Sequence, residues 1–457
     1  MRPQSASIQS IVEKDYALGW MLAGIFNHGE LTKSWIFKGG TCLKKCYFET
    51  YRFSEDLDFT LLLEDHLNEE FLRRIFGEIS EWIYQQVGLE FPVNLQSFEI
   101  YKNPRGNLSC RAKLSYRGPV SPSSGGLPRI KLDLTADELL VLPPVRIPIL
   151  HPYSDAPAEG IQVLAYAYEE VFAEKIRALA ERTRPRDLYD VINLFRNTKS
   201  RPSASVLLHI LSRKCEFKGI SVPQHGDFDE HQSDLEGGWD MMLEHQLPAL
   251  PPVSTFWNVL PELFAWLDGG LFPQVPLSYE LERGDTIIRE RTLNLPLSSN
   301  AQSYLEIIRF AASNRLCVDL GYASKTRRIE PYSLRLTKEG NFILHAWNVD
   351  SDAHRSYRID RIEGAKITGQ NFSPRYEVEL IPTGPITVQE TQGSTGFSIR
   401  NTVRSISRNY GPIYILECGL CGKKFRRKTS SRTLRKHKTP DGFSCSGRTG
   451  YLIDIKY

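Results

Sequence analysis

Two aspartates separated by one residue, Asp56 and Asp58, are the residues of this sequence best suited to metal chemistry. In a strand, alternate side chains share a face, so both carboxylates would point the same way. Adjacent carboxylates repel each other unless a divalent cation or a shared proton relieves the repulsion. The diglycine Gly39-Gly40 predicts a turn whose backbone approaches a ligand closely, followed by helix-start N–H groups suited to phosphate oxygens. Metal-assisted nucleotidyl transfer needs this combination of a triphosphate grip and carboxylates for magnesium.

A third acid, Asp133, lies in the alternating segment 130–135. Lys131 and Asp133 share the polar face of this predicted strand. If the strand lies beside the one that carries Asp56 and Asp58, Asp133 could complete a metal site or accept the proton of an attacking hydroxyl. A solvated sheet face is the alternative, and it is the better interpretation of this segment taken alone.

Residues 171–194 predict two consecutive helices. The first carries Lys175, whose charge could offset that of a triphosphate. The second begins at Pro185, a residue suited to a first helical turn. Four charged residues surround that start: Arg184, Arg186, Asp187 and Asp190. One interpretation gives substrate binding to the arginines, with Asp187 holding them, and the other makes Asp187 an ordinary first-turn acid.

Four potential zinc ligands lie near the end of the sequence: Cys418, Cys421, His437 and Cys445. The first two form a C-x2-C turn that supplies a rigid half of a tetrahedron, and the others can complete it. Loose thiols in a cytoplasmic protein would invite oxidation, so a structural zinc is favoured over reduced free thiols. Nothing nearby indicates an open catalytic position.

Many cations surround these ligands: Lys423, Lys424, Arg426, Arg427, Lys428, Arg432, Arg435, Lys436 and Lys438. They could neutralise phosphates, with Phe425 available to stack on a base. A solvated loop is the alternative. The concentration of cations in one small module favours nucleic acid as its partner.

The composition of the whole chain is that of a packed globular protein, with 41% hydrophobic and 24% charged residues and a net charge of +3. Its 457 residues predict about three domains. No apolar run approaches the length of a membrane span, and the N-terminus lacks a secretory apolar core. The sequence therefore predicts a cytoplasmic protein without a membrane partner, in which eight cysteines do not indicate a disulfide framework.

The elements that must position these residues mix helices and strands, which predicts an α+β fold. Helices are expected through much of 1–34, at 66–87 and at 301–314. In the N-terminal half, strands are expected at 35–37, around the two aspartates, and at 96–102, 108–115 and 129–135. Five further short strands predict a small, strongly curved barrel, at 316–322, 328–336, 342–349, 354–360 and 365–367.

Five segments in order, KGGT, RFSEDLDF, KLDLT, AEKIRAL and RPRDLYD, resemble the AbiEii family of nucleotidyltransferase toxins, within the DNA polymerase β-type superfamily. The resemblance covers about residues 10–268 and includes a helical tail. It implies magnesium ligation by Asp56, Asp58 and Asp133, which would be catalytic together with Lys175. It also implies nucleotide contacts from Lys38, Gly39, Gly40, Thr41, Ser54, Arg184, Arg186 and Asp187. A cognate antitoxin is a further implied partner.

Two later segments, RRIEPYSLR and YRIDRI, resemble the WYL domain, an Sm-like barrel that senses ligands or nucleic acid. The name-giving triplet is replaced here by Asn341-Phe342-Ile343. The resemblance implies a nucleotide or nucleic-acid ligand held by Arg328, Tyr332, Arg355, Tyr357, Arg358 and Arg361. Structural ion pairs within the second segment are an equally weighted alternative.

The sequence therefore predicts a chain of five parts. They are a nucleotidyltransferase with a helical tail at 1–268, a linker at 269–300, a WYL-like barrel at 301–380, a linker at 381–410 and a basic zinc module at 411–457. The predicted function is Mg²⁺-dependent transfer of a nucleoside monophosphate from an NTP to an RNA, expected to be a tRNA 3′ end, by a toxin of toxin–antitoxin or anti-phage type. Two alternatives remain: transfer onto a protein, and nucleic-acid binding by an inactive transferase fold.

Overall fold

The computed structural model describes residues 4–48, 52–120, 126–270, 285–288 and 299–380, and parts of the C-terminal segment at 413–418, 420–421, 423–427, 433–438 and 444–456. The chain divides into two compact units, Met1–Val388 and Gln389–Tyr457. The predicted linker 381–410 lies outside the described residues, as does most of the linker 269–300. Within the described ranges, no helix is both long and apolar enough to cross a membrane.

The first unit begins with a seven-stranded mixed sheet. Its strands are β1 (Trp35–Lys38), β2 (Asp56–Leu61), β3 (Ser97–Lys102), β4 (Leu108–Ser115), β5 (Arg129–Thr135), β6 (Val145–Pro148) and β7 (Gln162–Ala165). They lie in the order β3-β4-β5-β2-β1-β7-β6. The central strand β2 pairs antiparallel with β1 and parallel with β5. The two predicted carboxylate strands are therefore neighbours.

Helices cover the apolar face of this sheet. They are α1 (Gln4–Asn27), α2 (Gly39–Cys42) and α3 (Glu69–Val87). The alternation of β2 and β5 buries Leu57, Phe59, Leu132 and Leu134 to 1% exposure or less. Phe59 contacts aromatic rings on both α1 and β1. Burying these apolar side chains leaves the opposite, polar face of the sheet free for charged residues.

A helical tail follows the sheet. It consists of α4 (Tyr168–Arg182), α5 (Pro185–Arg196), α6 (Ala204–Lys218), α7 (Gln232–Leu243), α8 (Ser254–Trp257) and α9 (Leu260–Leu267). Thr183 adopts a left-handed conformation at the end of α4, with φ of 45°, and the chain then turns into α5. Pro185 is the first residue of α5, as the sequence predicts.

A second sheet lies in the same unit. It contains β8 (Thr286–Ile287), β9 (Leu316–Tyr322), β10 (Lys325–Leu336), β11 (Phe342–Asn348), β12 (Ala353–Arg358) and β13 (Ile362–Asn371), packed against α10 (Ser299–Ser313). The order is β12-β11-β10-β9-β13, and β8 pairs with β10. The five predicted strands are all present. No ladder joins β12 to β13 among the described residues, so closure into a barrel stays a prediction.

The second unit contains two small antiparallel sheets. Strands β14 (Ile413–Cys418), β15 (Lys424–Arg427) and β18 (Gly450–Lys456) form one, with β14 in the middle. Strands β16 (His437–Lys438) and β17 (Ser444–Cys445) form the other. Their register places His437 opposite Cys445, which brings two of the predicted zinc ligands together.

Candidate active site and metal centre

The three predicted carboxylates share the polar face of the first sheet. The parallel register of β2 and β5 places Asp58 opposite Asp133, and Asp56 opposite Lys131. Lys131 Nζ lies 4.0 Å from Asp56 Oδ1. The structure therefore brings Asp133 beside the Asp-x-Asp strand, across a long separation in sequence.

A row of charged residues crosses five strands at this level, with two adjacent acids at its centre. From β3 to β1 its members are Glu99, Arg111, Asp133, Asp58 and Lys38. Lys38 also forms a partly buried ion pair with Glu138, with 3.2 Å between Nζ and Oε1. The two central carboxylates thus have a cation on each side. Arg111 lies next to Asp133, and Lys38, which precedes the diglycine, lies next to Asp58.

Electrostatic repulsion at the carboxylates remains in spite of these cations. Desolvation and the charge of Asp133 raise the pKa of Asp58 to about 6, with Lys38 opposing the shift. Desolvation and the charge of Asp56 also raise the pKa of Asp133. Among the described residues, the group of three or more ligand side chains placed to hold a metal ion is the C-terminal cysteine–histidine cluster, so the three carboxylates share a face without forming such a group. Their fit to a divalent cation rests on donor type and on this repulsion.

The diglycine is the start of a helix, and the predicted turn is wrong. Gly39 follows β1 directly and opens α2, which continues as a π-helical turn through Leu43–Tyr47. Gly39 has φ of +80°, and a Cβ there would lie 2.0 Å from Asp58 Oδ2. A Cβ on Gly40 would lie 2.8 Å from an Arg52 guanidinium nitrogen. Glycine is therefore required at position 39 by backbone conformation and by the carboxylate beside it.

Thr41 and Ser54, both predicted to contact nucleotide, contact each other. The Thr41 hydroxyl lies 2.9 Å from the Ser54 hydroxyl and 2.5 Å from the backbone carbonyl oxygen of Asp56. Thr41 is fully buried. In this structure it fixes the start of β2 and so the position of the Asp-x-Asp carboxylates.

A buried ion-pair network connects the helical tail to the segment before β2. Lys175 Nζ lies 2.7 Å from Asp190 Oδ2 and 3.3 Å from Asp187 Oδ1. Asp190 also accepts two hydrogen bonds from Arg52, at 2.8 and 3.0 Å. Asp187 accepts hydrogen bonds from Arg182, the closer at 2.7 Å. Burial opposes ionisation of Asp187, but Lys175 and Arg182 outweigh it and lower its pKa to about 2.

This network corrects one sequence interpretation. Asp187 holds Lys175 and Arg182, whereas it was expected to hold Arg184 or Arg186. Arg52 and Arg182 were missed as functional residues. The signal for them was that Arg52 is the first residue of the RFSEDLDF segment and that Arg182 lies just before the RPRDLYD segment.

The two arginines at the start of α5 differ in their surroundings. Arg184 is exposed. Arg186 is half-buried, and its Nε has no hydrogen-bond partner among the described residues. Burial and the neighbouring charge of Arg52 lower its pKa, while Asp56 acts in the opposite direction. Of these two arginines, Arg186 is therefore the one close to the carboxylates, and its Nε is a donor without a partner among the described residues.

The C-terminal cysteine–histidine cluster forms as predicted. The ligand atoms of Cys418, Cys421, His437 and Cys445 all lie within 4.8 Å of one another. His437 Nδ1 lies 2.9 Å from the carbonyl oxygen of Arg435, which leaves Nε2 facing Cys421 Sγ at 3.4 Å. Backbone N–H groups of Leu420 and Cys421 lower the pKa of the Cys418 thiol to about 6. Three thiols and one oriented imidazole are the donor set of a structural zinc site.

Phe425 packs beside this cluster. Its ring contacts the His437 ring edge-on, with 4.9 Å between centroids, and is half-buried. The predicted stacking on a base is therefore not the contact that the structure gives this ring. Of the surrounding cations, Lys428 and Arg432 lie outside the described residues.

We expect His437→Gln to lose the metal of the second unit, because it removes one of four ligands. Metal analysis of the purified full chain should find about one zinc per chain in the wild type and much less in the variant. The matched control is His225→Gln, which changes a histidine outside the cluster. Equal zinc contents in all three proteins would contradict a site at His437.

The predicted ligand residues of the second sheet are largely engaged within the protein. Tyr332 is fully buried, with its hydroxyl 2.6 Å from Glu330 Oε2. Tyr357 is buried as well. Arg328 forms a two-bond pair with Asp319, and Arg358 forms one with Asp360. Arg355 and Arg361 are exposed. The ion pair of Arg358 with Asp360 is the kind of structural contact that the sequence offered as the alternative to a ligand site.

Comparisons with known proteins match two parts of the chain. The family model described as Nucleotidyl transferase AbiEii toxin, Type IV TA system, matches residues 20–267, and the WYL domain model matches residues 303–367. A similar solved structure is MenT4, a nucleotidyltransferase toxin from Mycobacterium tuberculosis H37Rv, with 20% identity and a TM-score of 0.35. The similarity covers 56% of this chain and 82% of MenT4. Comparison with curated proteins gave no match.

Proposed function

Because this chain belongs to the AbiEii family of nucleotidyltransferase toxins, we propose that it uses Mg²⁺ to transfer a nucleoside monophosphate from an NTP to an RNA, with a tRNA 3′ end as acceptor. The observation that carries the proposal is the pairing of Asp58 with Asp133 on adjacent parallel strands, with Asp56 on the same face. The type IV toxin–antitoxin description of the family implies a cognate antitoxin.

Asp56, Asp58 and Asp133 would hold the magnesium. The raised pKa values of Asp58 and Asp133 support this assignment, because a bound cation would relieve the repulsion that raises them. Bound there, Mg²⁺ would neutralise charge on the phosphate oxygens.

The residues around the carboxylates would bind the triphosphate, position helix α5 and accept a proton. Lys38 lies opposite Asp58, and Arg186 has a free Nε near Asp56, so these two cations would bind the triphosphate. Lys175 has its charge balanced by two carboxylates, so we assign it the role of positioning α5. Asp133 lies on the β4 side of Asp58, away from Lys38, and would accept the proton of the attacking hydroxyl. The backbone of Gly39 and Gly40 would make the remaining contacts to the phosphate oxygens.

Exposed cations on the same face favour a polyanionic acceptor. All four are exposed: Arg111 and Lys113 lie on β4 beside Asp133, and Arg129 and Lys131 lie on its own strand, β5. The register places Lys113 opposite Lys131, and like charges at such positions destabilise a sheet. An RNA backbone would relieve this repulsion, and it would approach Asp133 from β4. A protein hydroxyl would not need four cations.

The other parts of the chain would serve this reaction. We assign the basic second unit a further grip on RNA through a zinc-stabilised module, and the WYL domain a sensing role that restrains the enzyme until phage infection or damage supplies its ligand. The five-part division predicted from the sequence remains our proposal for the boundaries.

A labelling assay tests the proposed transfer. Full-length protein with Mg²⁺, each α-labelled NTP in turn and total cellular RNA is expected to label a discrete RNA band. Lys113→Gln is expected to raise the KM for RNA about tenfold without changing that for NTP, because it removes a phosphate contact. The matched control, Lys338→Gln, removes an exposed lysine of the second sheet and should leave both values unchanged.

The other outcomes identify the alternatives. Label in protein instead of RNA would support transfer onto a protein hydroxyl. No label from any NTP, with the WYL domain present or removed, would contradict the transferase and leave the nucleic-acid-binding regulator.

A further inference from the structure

A cavity of about 480 Å³ lies between the helical tail and the second sheet. Its walls come from the end of α5, from α8 and α9, and from the segments just before β9 and just after β13. None of the six residues assigned as WYL ligands lines it. It is also separate from the carboxylate face of the first sheet.

Three arginines line the cavity: Arg196, Arg201 and Arg315. Each has hydrogen bonds to backbone carbonyl oxygens, namely those of Thr255, Phe195 and Ala312. None forms an ion pair with a carboxylate within 4.0 Å among the described residues, and the Nη1 atom of Arg196 is buried without a hydrogen-bond partner there. The guanidinium charges are thus oriented but not neutralised.

The carboxylates in the walls are too few to balance these charges. Glu377 is paired with Lys199, at 3.3 Å. Glu262 is the other acid of the lining, and it forms no ion pair within 4.0 Å in the described part of the chain. The cavity therefore carries a net positive charge in a half-buried setting. The rings of Phe256 and Phe195, over which Arg196 and Arg201 lie, offset part of the cost, and a bound anion would offset more.

Arg315 is the arginine whose backbone conformation and charge are both clearly unfavourable. It is 9% exposed, and its φ of 56° places a non-glycine residue in the left-handed region. Burial and the nearby charge of Arg196 lower the pKa of Arg315 to about 9. Burial also lowers the pKa of Arg196 to about 10. Strained, electrostatically unfavourable residues of this kind are common at ligand sites.

The shape and the remaining walls indicate the chemistry of the ligand. Guanidinium groups bind phosphate oxygens through paired hydrogen bonds. The rings of Phe372 and Tyr376 line the cavity as well and offer faces on which a base can stack. The volume is within the range of small-molecule sites. We propose that this cavity binds a nucleotide, with its phosphate on Arg196, Arg201 and Arg315 and its base against the aromatic wall.

The same helix reaches both sites. Arg196 ends α5, while Asp187 and Asp190 near its start hold the ion-pair network beside the carboxylates. Resting on the proposed function, this places the nucleotide where a shift of α5 would alter transfer. From Asp187 to Arg196 the helix rises by nine residues, about 14 Å.

Calorimetric titration of the full chain in Mg²⁺-free buffer tests the site, with AMP, GMP, CMP and UMP as probes. At least one should bind, and more tightly than inorganic phosphate. Arg196→Met should weaken binding about 10-fold to 100-fold, because charge-assisted hydrogen bonds are lost. Glu262→Gln should strengthen it by about fivefold, because it removes a repelling carboxylate. A gain in affinity cannot arise from misfolding.

Asp58→Asn separates this site from the transferase site. Asp58→Asn and the wild type should bind the nucleotide with equal affinity. This expectation holds whether or not the labelling assay detects transferase activity in the wild type. No binding of any of the four nucleotides, or equal affinity for inorganic phosphate, would overturn the proposal. Unchanged affinity in both the Arg196 and the Glu262 variants would overturn it as well.

Discussion

Asp58→Asn is expected to lower the rate of nucleotidyl transfer by about 10²-fold to 10³-fold or more, and at the same time to stabilise the metal-free protein. The loss of activity follows if Asp58 is a metal ligand, since an amide is a poorer ligand for Mg²⁺ than a carboxylate. The gain in stability follows from the repulsion between Asp58 and Asp133. Labelling kinetics and thermal unfolding of the same two proteins measure both effects.

The sign of the stability effect depends on pH. The pKa of Asp58 is raised from 3.8 to about 6 by desolvation and by Asp133. Between these values the folded chain holds a proton that the unfolded chain has released, so the free energy of unfolding falls as pH rises through this window. At pH 7 the full cost is present, at most about 3 kcal/mol for a shift of this size. The amide that replaces the carboxyl group in the variant does not ionise, so the stability gap between variant and wild type should open from about pH 4 to pH 7.

Magnesium should close this gap, because it stabilises the wild-type carboxylates and has less to bind in the variant. Glu99→Gln is the matched control, since Glu99 lies in the same row of charges but on β3, beyond Arg111. It should leave both transfer and stability nearly unchanged. If Asp58→Asn lowered stability as well as activity, Asp58 would be a structural residue and the metal-ligand assignment would be wrong.

The placement of the three carboxylates on strands followed from local pattern. The period of two in β2 and β5 is set by backbone geometry, and so the sequence predicts which side chains share a face. The observed bounds Arg129–Thr135 are those expected. The register between β2 and β5 is not a local property. Asp58 meets Asp133 only when two segments that are distant in sequence pair in the folded sheet.

Other features of the candidate site depend on contacts between distant segments. KGGT reads locally as a turn, but α2 begins at Gly39. The positive φ of this residue and its missing side chain leave room for Asp58, a contact that the local sequence does not reveal. Four arginines of the matched segments and their surroundings could have paired with Asp187 or Asp190. Charge alone does not predict which arginine pairs with which aspartate. Arg52 pairs with Asp190 because both are buried together, and Arg182 reaches Asp187 because of the turn at the end of α4. The nucleotide cavity has no sequence motif, since its arginines come from separate parts of the chain.

Asp190→Ala is expected to lower the free energy of unfolding by about 3–5 kcal/mol, because it removes a buried carboxylate that balances the charges of Arg52 and Lys175. Asp190 is fully buried, and its partners Arg52 and Lys175 are 4% and 8% exposed. Lys175 keeps Asp187 as a partner, at 3.3 Å, and Arg52 keeps its hydrogen bonds to the uncharged oxygens of Phe53 and Gln246. Urea unfolding followed by tryptophan fluorescence measures the loss.

Arg182→Gln is the matched control within the same network. Arg182 is 44% exposed, so solvent can replace its pair with Asp187, and we expect a loss of about 1 kcal/mol or less. The double change Arg52→Met/Asp190→Leu should recover much of the lost stability, because it removes the buried charges together. It should not recover transfer if Arg52 and Asp190 hold the segment before β2 against α5. Equal losses for Asp190→Ala and Arg182→Gln would mean that this network does not hold the two segments together.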